Sequence, residues 1–136
     1  MGRLVFATQK LDSRDPVLAA TVAKVRALAS RVDEVVVLCD SAEAELSIPN
    51  VRVHEFGGRN QLERGVRFAA ALNRELNPEP LAVVAHMIPL YVIVAAPIVR
   101  PRGIPLALWY THWKDHLVLR AAVRLATVVV SVDRRS

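Results

Sequence analysis

Two short stretches hold most of the side chains in this sequence that could do chemistry. The first is His86-Met87-Ile88-Pro89-Leu90-Tyr91. His86 closes an apolar run, where an imidazole can relay a proton, bind a ligand, or simply sit in the core with its polar atoms satisfied. The second is Trp109-Tyr110-Thr111-His112-Trp113-Lys114-Asp115-His116, which gathers both tryptophans, one of two tyrosines and two of four histidines into eight residues. Aromatic faces suit the apolar faces of sugar rings, and Thr111, His112 and Lys114 add hydrogen bonds and charge. The alternative is an aromatic core plug followed by a helix capped by Asp115. His112 and His116 are four residues apart, a spacing that lets two imidazoles share a metal on one helix. If Asp115 starts that helix, His112 lies outside it, so no metal is expected.

A third polar stretch, Thr8-Gln9-Lys10-Leu11-Asp12-Ser13-Arg14-Asp15, follows the first apolar run. Lys10 and Asp12 are its candidate ligand contacts; a merely solvated loop is the plainer reading. It contains no glycine, so the GxGxxG fingerprint is missing, and with it the close backbone approach to a pyrophosphate. The chain has no GK[ST] P-loop and no HExxH either, and no cofactor is expected. No pair of carboxylates stands out for glycoside hydrolysis. The lone Cys39 has no CxxC partner and no base beside it, which makes it a core thiol in a reducing, cytoplasmic setting.

These residues matter only if the fold brings them together. Arg3–Ala7 predicts a central strand. Asp15-Pro16 marks a helix start, with Leu18, Val22, Val25 and Leu28 on one face to about Ser30. Glu34–Cys39, rich in β-branched residues, predicts a strand buried on both faces, and Asp40–Asn50 a loop. Val51–Phe56 alternates apolar and polar, as an edge-ward strand does. A helix follows through Leu62, Val66, Ala69 and Leu76, stopped by Pro78 and Pro80. Then come a strand over Leu81–Ala85, a helix from Leu90 to Val99, a strand over Leu106–Tyr110, a helix across about Asp115–Ala126, and a strand over Thr127–Val132. Strands alternating with helices, several apolar throughout, imply an α/β, Rossmann-like three-layer sandwich. Its mainly parallel sheet has about six strands and is covered on both faces. Ligands in such sheets sit beyond the carboxyl ends of the strands, where all three polar stretches begin.

The chain has 136 residues, 53% of them hydrophobic and 23% charged, which suits one compact domain over residues 1–136 and excludes a disordered one. Its net charge of +5 is uneven: residues 1–58 carry seven Lys/Arg and eight Asp/Glu, residues 59–136 eleven and five. A basic second half suits phosphate-bearing partners or an anionic membrane surface, and Arg64, Arg67 and Arg74 could face either such a surface or plain solvent. No helix-turn-helix or RNP pattern occurs, so nucleic acid is not an expected partner. The apolar run at the N-terminus is too short for a signal peptide. Leu81–Val99 has the length of a membrane span, but His86, Pro89 and Pro97 divide it, and a buried strand feeding a buried helix gives the same hydropathy.

Together these stretches resemble the N-terminal, acceptor-side domain of family 4 glycosyltransferases, retaining enzymes of the two-domain GT-B fold. The resemblance covers nearly the whole chain. It is carried by Thr8-Gln9-Lys10-Leu11-Asp12 with Asp15-Pro16, by Pro49-Asn50-Val51, and by Ala126–Ser131. Its most specific parts are His86-Met87-x-Pro89-x-Tyr91 and Trp109-Tyr110-Thr111-His112. It implies transfer of a sugar from a nucleotide-sugar donor to an acceptor hydroxyl with retained anomeric configuration and usually without a metal. His112 would be the catalytic histidine facing the transferred sugar. Lys10, Asp12, His86, Tyr91, Trp109 and Thr111 would lie on the side of a sugar or lipid-linked acceptor. The donor-binding C-terminal domain of that family is absent from this sequence, so the resemblance implies a fragment, a truncated gene or half of a split enzyme, inactive alone. The chain is then cytoplasmic, with peripheral membrane contact through the basic half as a variant. The alternative is a non-catalytic α/β module binding a partner or an anionic membrane surface; a small flavodoxin-like nucleotide binder comes third.

Overall fold

The computed structural model describes residues 2–11, 19–42, 48–109 and 117–130. Its strands are β1 (Arg3–Leu11), β2 (Glu34–Ala42), β3 (Val51–Glu55), β4 (Ala82–His86), β5 (Leu106–Trp109) and β6 (Val128–Val130). Its α-helices are α1 (Ala19–Ala29), α2 (Gln61–Arg74), α3 (Pro89–Val99) and α4 (Leu117–Leu125). All six strands are parallel and lie in the order β3-β2-β1-β4-β5-β6. The expected α/β, Rossmann-like architecture is therefore the one found, with β3 at an edge as its alternating pattern implied.

The chain order explains the layers. From β1 the sheet grows one way to β2 and β3; from β4 it grows the other way to β5 and β6. Right-handed crossovers then put α1 on one face and α2, α3 and α4 together on the other. The cores follow this division. Phe6, Val22, Val25, Val35 and Val37 pack on the α1 face. Val5, Val36, Phe68, Leu72, Val92, Leu106 and Leu119 pack on the other. On that second face Phe68 stacks on Tyr91 with ring centroids 4.5 Å apart. Coverage of the α1 face is partial: at its β6 end Val128 is 52% exposed and Val130 40%.

The long apolar run resolves into β4 and α3. α3 lies between α2 and α4 and against the sheet, which explains why it lacks a polar stripe. Among the described residues no helix is long and apolar enough to cross a membrane. Its neighbour α2 begins where Asn60 accepts a hydrogen bond from the Glu63 amide at 2.8 Å. The turn before it needs glycine, since a Cβ on Gly58 would stand 2.5 Å from Arg64 Cγ and 2.8 Å from Arg64 N.

Two boundaries differ from the expectation. The stretch from Thr8 to Leu11 is strand rather than loop, and β2 runs on through Asp40 to Ala42. The two extensions pair with each other, Lys10 with Ser41 and Leu11 with Ala42, so each satisfies the other's backbone groups.

Candidate functional site

The strand order places a topological switch between β1 and β4, whose carboxyl ends run side by side and whose chains leave in opposite directions. Strand alternation decides which side chains share a face there. Phe6 and Thr8 of β1, Val84 and His86 of β4, and Ala107 and Trp109 of β5 all point toward the α1 side. Register then makes His86 and Trp109 direct cross-strand partners. The expected neighbour of His86 on the same rim, His112, lies outside the described residues; the strand before it places Trp109 beside His86.

α1 supplies the fourth member of this group. Lys24 Nζ lies 3.1 Å from His86 Nε2 and 4.8 Å from the centroid of the Trp109 ring. On the other side of the imidazole, Nδ1 is 3.1 Å from Thr8 Oγ1. Phe6 and Trp109 flank the ring, with centroids 5.2 and 5.7 Å away, the indole edge-on. An ammonium has only donors, so it must donate to Nε2. That fixes the tautomer: Nδ1 carries the proton and donates to Thr8 Oγ1.

His86 is 2% exposed, not open on the rim as the strand-end position suggested. The reason is α1, which packs on β1 and β2 and brings Lys24 onto the ring. Burial, and secondarily the Lys24 charge, push the His86 pKa down to about 4. The imidazole is therefore neutral at physiological pH, and its one lone pair is engaged by Lys24. It is built to hold a cation in place rather than to exchange protons with a ligand. Lys24 itself has a lowered pKa because its ammonium is partly desolvated.

Just past His86 the backbone turns sharply. Met87 has a positive φ of 66°, a left-handed conformation costly for a residue with a Cβ, and its amide donates to the Trp109 carbonyl at 2.8 Å. The strain sits at the exit of β4, where Pro89 starts α3 in its first turn.

The remaining expected residues divide sharply. Tyr91 is 5% exposed and packs in the core between Phe56 and Phe68, with burial first among the causes that raise its pKa to about 12. It still lines a small cavity of about 90 Å³ on the opposite face of the sheet, with Gln9, Gln61 and Arg64. Lys10 lies on β1 in register with Ser41. Asp12, Thr111 and His112 lie outside the described residues, as do His116 and Asp115. Cys39 is a buried core thiol whose pKa burial pushes up to about 12. Arg64 pairs with Asp40 at 3.4 Å and Arg67 with Glu63 at 3.2 Å, so these two basic residues of α2 are occupied locally. Lys24 escaped the sequence reading. Its only signal was its place four residues before Leu28, beside the apolar stripe of α1, where a long stem can lie along the sheet and carry its charge to a strand end.

No protein-family model matches the chain, and no curated protein does. Solved structures do match its fold. A candidate UDP-N-acetylglucosamine 2-epimerase from Listeria monocytogenes aligns with a TM-score of 0.68 at 13% identity, covering 98% of this chain and 40% of its own. A UDP-N-acetylglucosamine 2-epimerase from Rickettsia bellii gives 0.66 at 11%, covering 99% and 40%. The UDP-GlcNAc 2-epimerase from Neisseria meningitidis, solved with UDP-GlcNAc bound, gives 0.58 at 14%, covering 95% and 39%. The chain thus spans about 40% of the length of these proteins and has the fold of one Rossmann-like half of a GT-B-like architecture.

Proposed function

We propose that this chain is the acceptor-side half of an enzyme acting on nucleotide sugars, and that the reaction is transfer of the sugar to an acceptor hydroxyl with retained configuration. The observation carrying this reading is the group of Lys24, Thr8, His86 and Trp109 at the β1/β4 switch point, the place where ligands of such sheets bind. The nucleotide-sugar ligand of a fold neighbour and the His86-Met87-x-Pro89 and Trp109-Tyr110-Thr111-His112 blocks support it from two other directions. In this reading the indole of Trp109 offers a face to a sugar ring, Lys10, Asp12 and Thr111 bind the acceptor, and His112 faces the transferred sugar. Tyr91 shapes the wall from within the core. The nucleotide is held by a second Rossmann half, on this polypeptide or another, and the membrane plays no necessary part.

A second reading, that the same half serves a nucleotide-sugar epimerase, is favoured by the names of the fold neighbours. One experiment tests the main proposal. Saturation-transfer NMR on the 136-residue chain with methyl β-glucoside, N-acetylglucosamine and UDP-GlcNAc should show saturation of sugar ring protons and little of uridine. His112→Ala should weaken the sugar signal, and no nucleotide sugar should be turned over by the chain alone. Dominant uridine saturation, or no sugar contact at all, overturns the acceptor-side assignment.

A further inference from the structure

The polar atoms at the switch point are one-sided. Lys24 has three N–H donors, and one of them meets His86 Nε2. The indole Nε1 of Trp109 is buried and finds no acceptor among the described residues. Thr8 Oγ1 accepts from His86 Nδ1 and so has its own hydrogen to offer. No carboxylate among the described residues pairs with Lys24 in the way Glu75 pairs with Arg52 at 2.8 Å elsewhere on this sheet. A buried donor such as the Trp109 indole N–H, left without an acceptor, costs roughly 1–3 kcal/mol. It lies beside a partly exposed ammonium with no carboxylate opposite among the described residues, and a ligand oxyanion there would supply the missing acceptors.

We infer that Lys24, propped by His86 and seated on Trp109, is an anion-binding residue that takes an oxyanion, phosphate or carboxylate, of a ligand at the β1/β4 switch point. This deepens the proposed function and rests on it for the sugar, but not for the charge. Three features make Lys24 suited to the task. The neutral His86 holds the ammonium by its lone pair without neutralising it, which a carboxylate would do. The Trp109 face stabilises the cation through its quadrupole while leaving the charge intact. Partial burial lowers the local dielectric, so an incoming anion gains more from the charge than it would at an exposed lysine. His86 is then a positioning residue: its tautomer, fixed by Thr8, points the lone pair at Lys24.

The test compares five probes by NMR on the full chain: glucose, glucose 1-phosphate, glucuronate, UDP and inorganic phosphate. Lys24 ε-carbon and His86 ring-nitrogen shifts provide the readout. The expected result is that glucose 1-phosphate or glucuronate moves both signals, that glucose moves neither, and that Lys24→Gln weakens the anionic sugar at least about tenfold while leaving glucose unchanged. Lys24→Arg, which keeps a cation on a long stem, guards against a folding artefact and should retain part of the affinity. The two anionic sugars and UDP separate a sugar phosphate, a sugar acid and a nucleotide as the source of the charge. If glucose and its charged relatives bind alike, with or without Lys24, the anion site is wrong and the sugar reading survives. If inorganic phosphate alone moves Lys24 and His86 as strongly as glucose 1-phosphate, with no saturation of sugar protons, the anion site stands and the sugar reading falls. If no anion moves either signal, the inference is overturned.

Discussion

The two ends of the same sheet treat charge in opposite ways. At the amino end, Arg3 opens β1, Glu34 opens β2, Arg52 lies near the start of β3, and Glu75 caps the end of α2. Arg52 forks onto Glu75 at 2.9 and 2.8 Å, Arg3 reaches the same carboxylate at 3.1 Å, and Glu34 lies 3.7 Å from Arg52. The second Arg3 nitrogen donates to the Glu75 and Pro78 carbonyls. Two cations meet two anions, and the arrangement ties three strands to the last turn of α2. At the carboxyl end, Lys24 rests on a neutral histidine and an indole, with no carboxylate opposite it among the described residues. Each end leaves a buried N–H without a partner among the described residues, Arg3 Nε and Trp109 Nε1, so the difference lies in the charges: guanidiniums meet carboxylates at the amino end, and the Lys24 ammonium faces none there described.

Acid should separate the two ends by pH window. His86 is depressed from 6.5 to about 4, so its contribution is fully present above about 6.5 and is lost as pH falls toward 4. A shift of this size corresponds to about 3 kcal/mol. Urea unfolding of wild type and His86→Gln at pH 7 and pH 4 should therefore show the gap between them narrowing by about that amount on acidification. Parallel profiles would mean that His86 is protonated or solvated in the native state. Glu75 acts lower down. Hydrogen bonds from Arg52 hold its carboxyl below the ordinary 4.5, so its contribution persists at pH 5 and disappears as pH falls through its folded value. Glu75→Gln at neutral pH should cost about 2 kcal/mol, less than a fully buried pair because Arg52 is half exposed. It should leave every ligand titration untouched. A change in sugar binding on Glu75→Gln would show that the two ends are coupled.

How far the sequence revealed this contrast depended on what each feature needs. The strand and helix order was readable because buried parallel strands such as Val35–Leu38 and Val83–Ala85 are continuous apolar runs, and because Pro and Gly mark the turns. That the His86 and Trp109 strands are parallel followed from the helix between them. The polar continuations of β1 and β2 were not readable, since Thr8–Leu11 is strand only because Lys10 and Leu11 find Ser41 and Ala42 alongside. The burial of His86 was hidden for the same reason. A strand end is visible in sequence, but the helix that covers it is chosen by the direction of sheet growth, and Lys24 arrives from 62 residues upstream. The Arg3–Glu75 tie spans 72 residues and left no local pattern at all.

The smallest effect gives the sharpest comparison, because its sign should reverse. Removing a charge at the amino end breaks an ion-paired network and destabilises. Lys24→Met removes a charge that has no carboxylate opposite it among the described residues, and it keeps an unbranched stem against the Trp109 ring. The ammonium is partly desolvated, as its lowered pKa records, so its loss relieves a cost that the Trp109 and His86 contacts only partly offset. His86 loses a donor to Nε2 but remains neutral. The variant should therefore be as stable as wild type or more stable by up to about 1 kcal/mol, measured by urea unfolding at pH 7. It should also raise the His86 pKa, since the Lys24 charge contributes to its depression. A loss of more than about 1 kcal/mol would show that Lys24 holds the structure together, as Glu75 does, and the two ends of the sheet would then differ in composition but not in purpose.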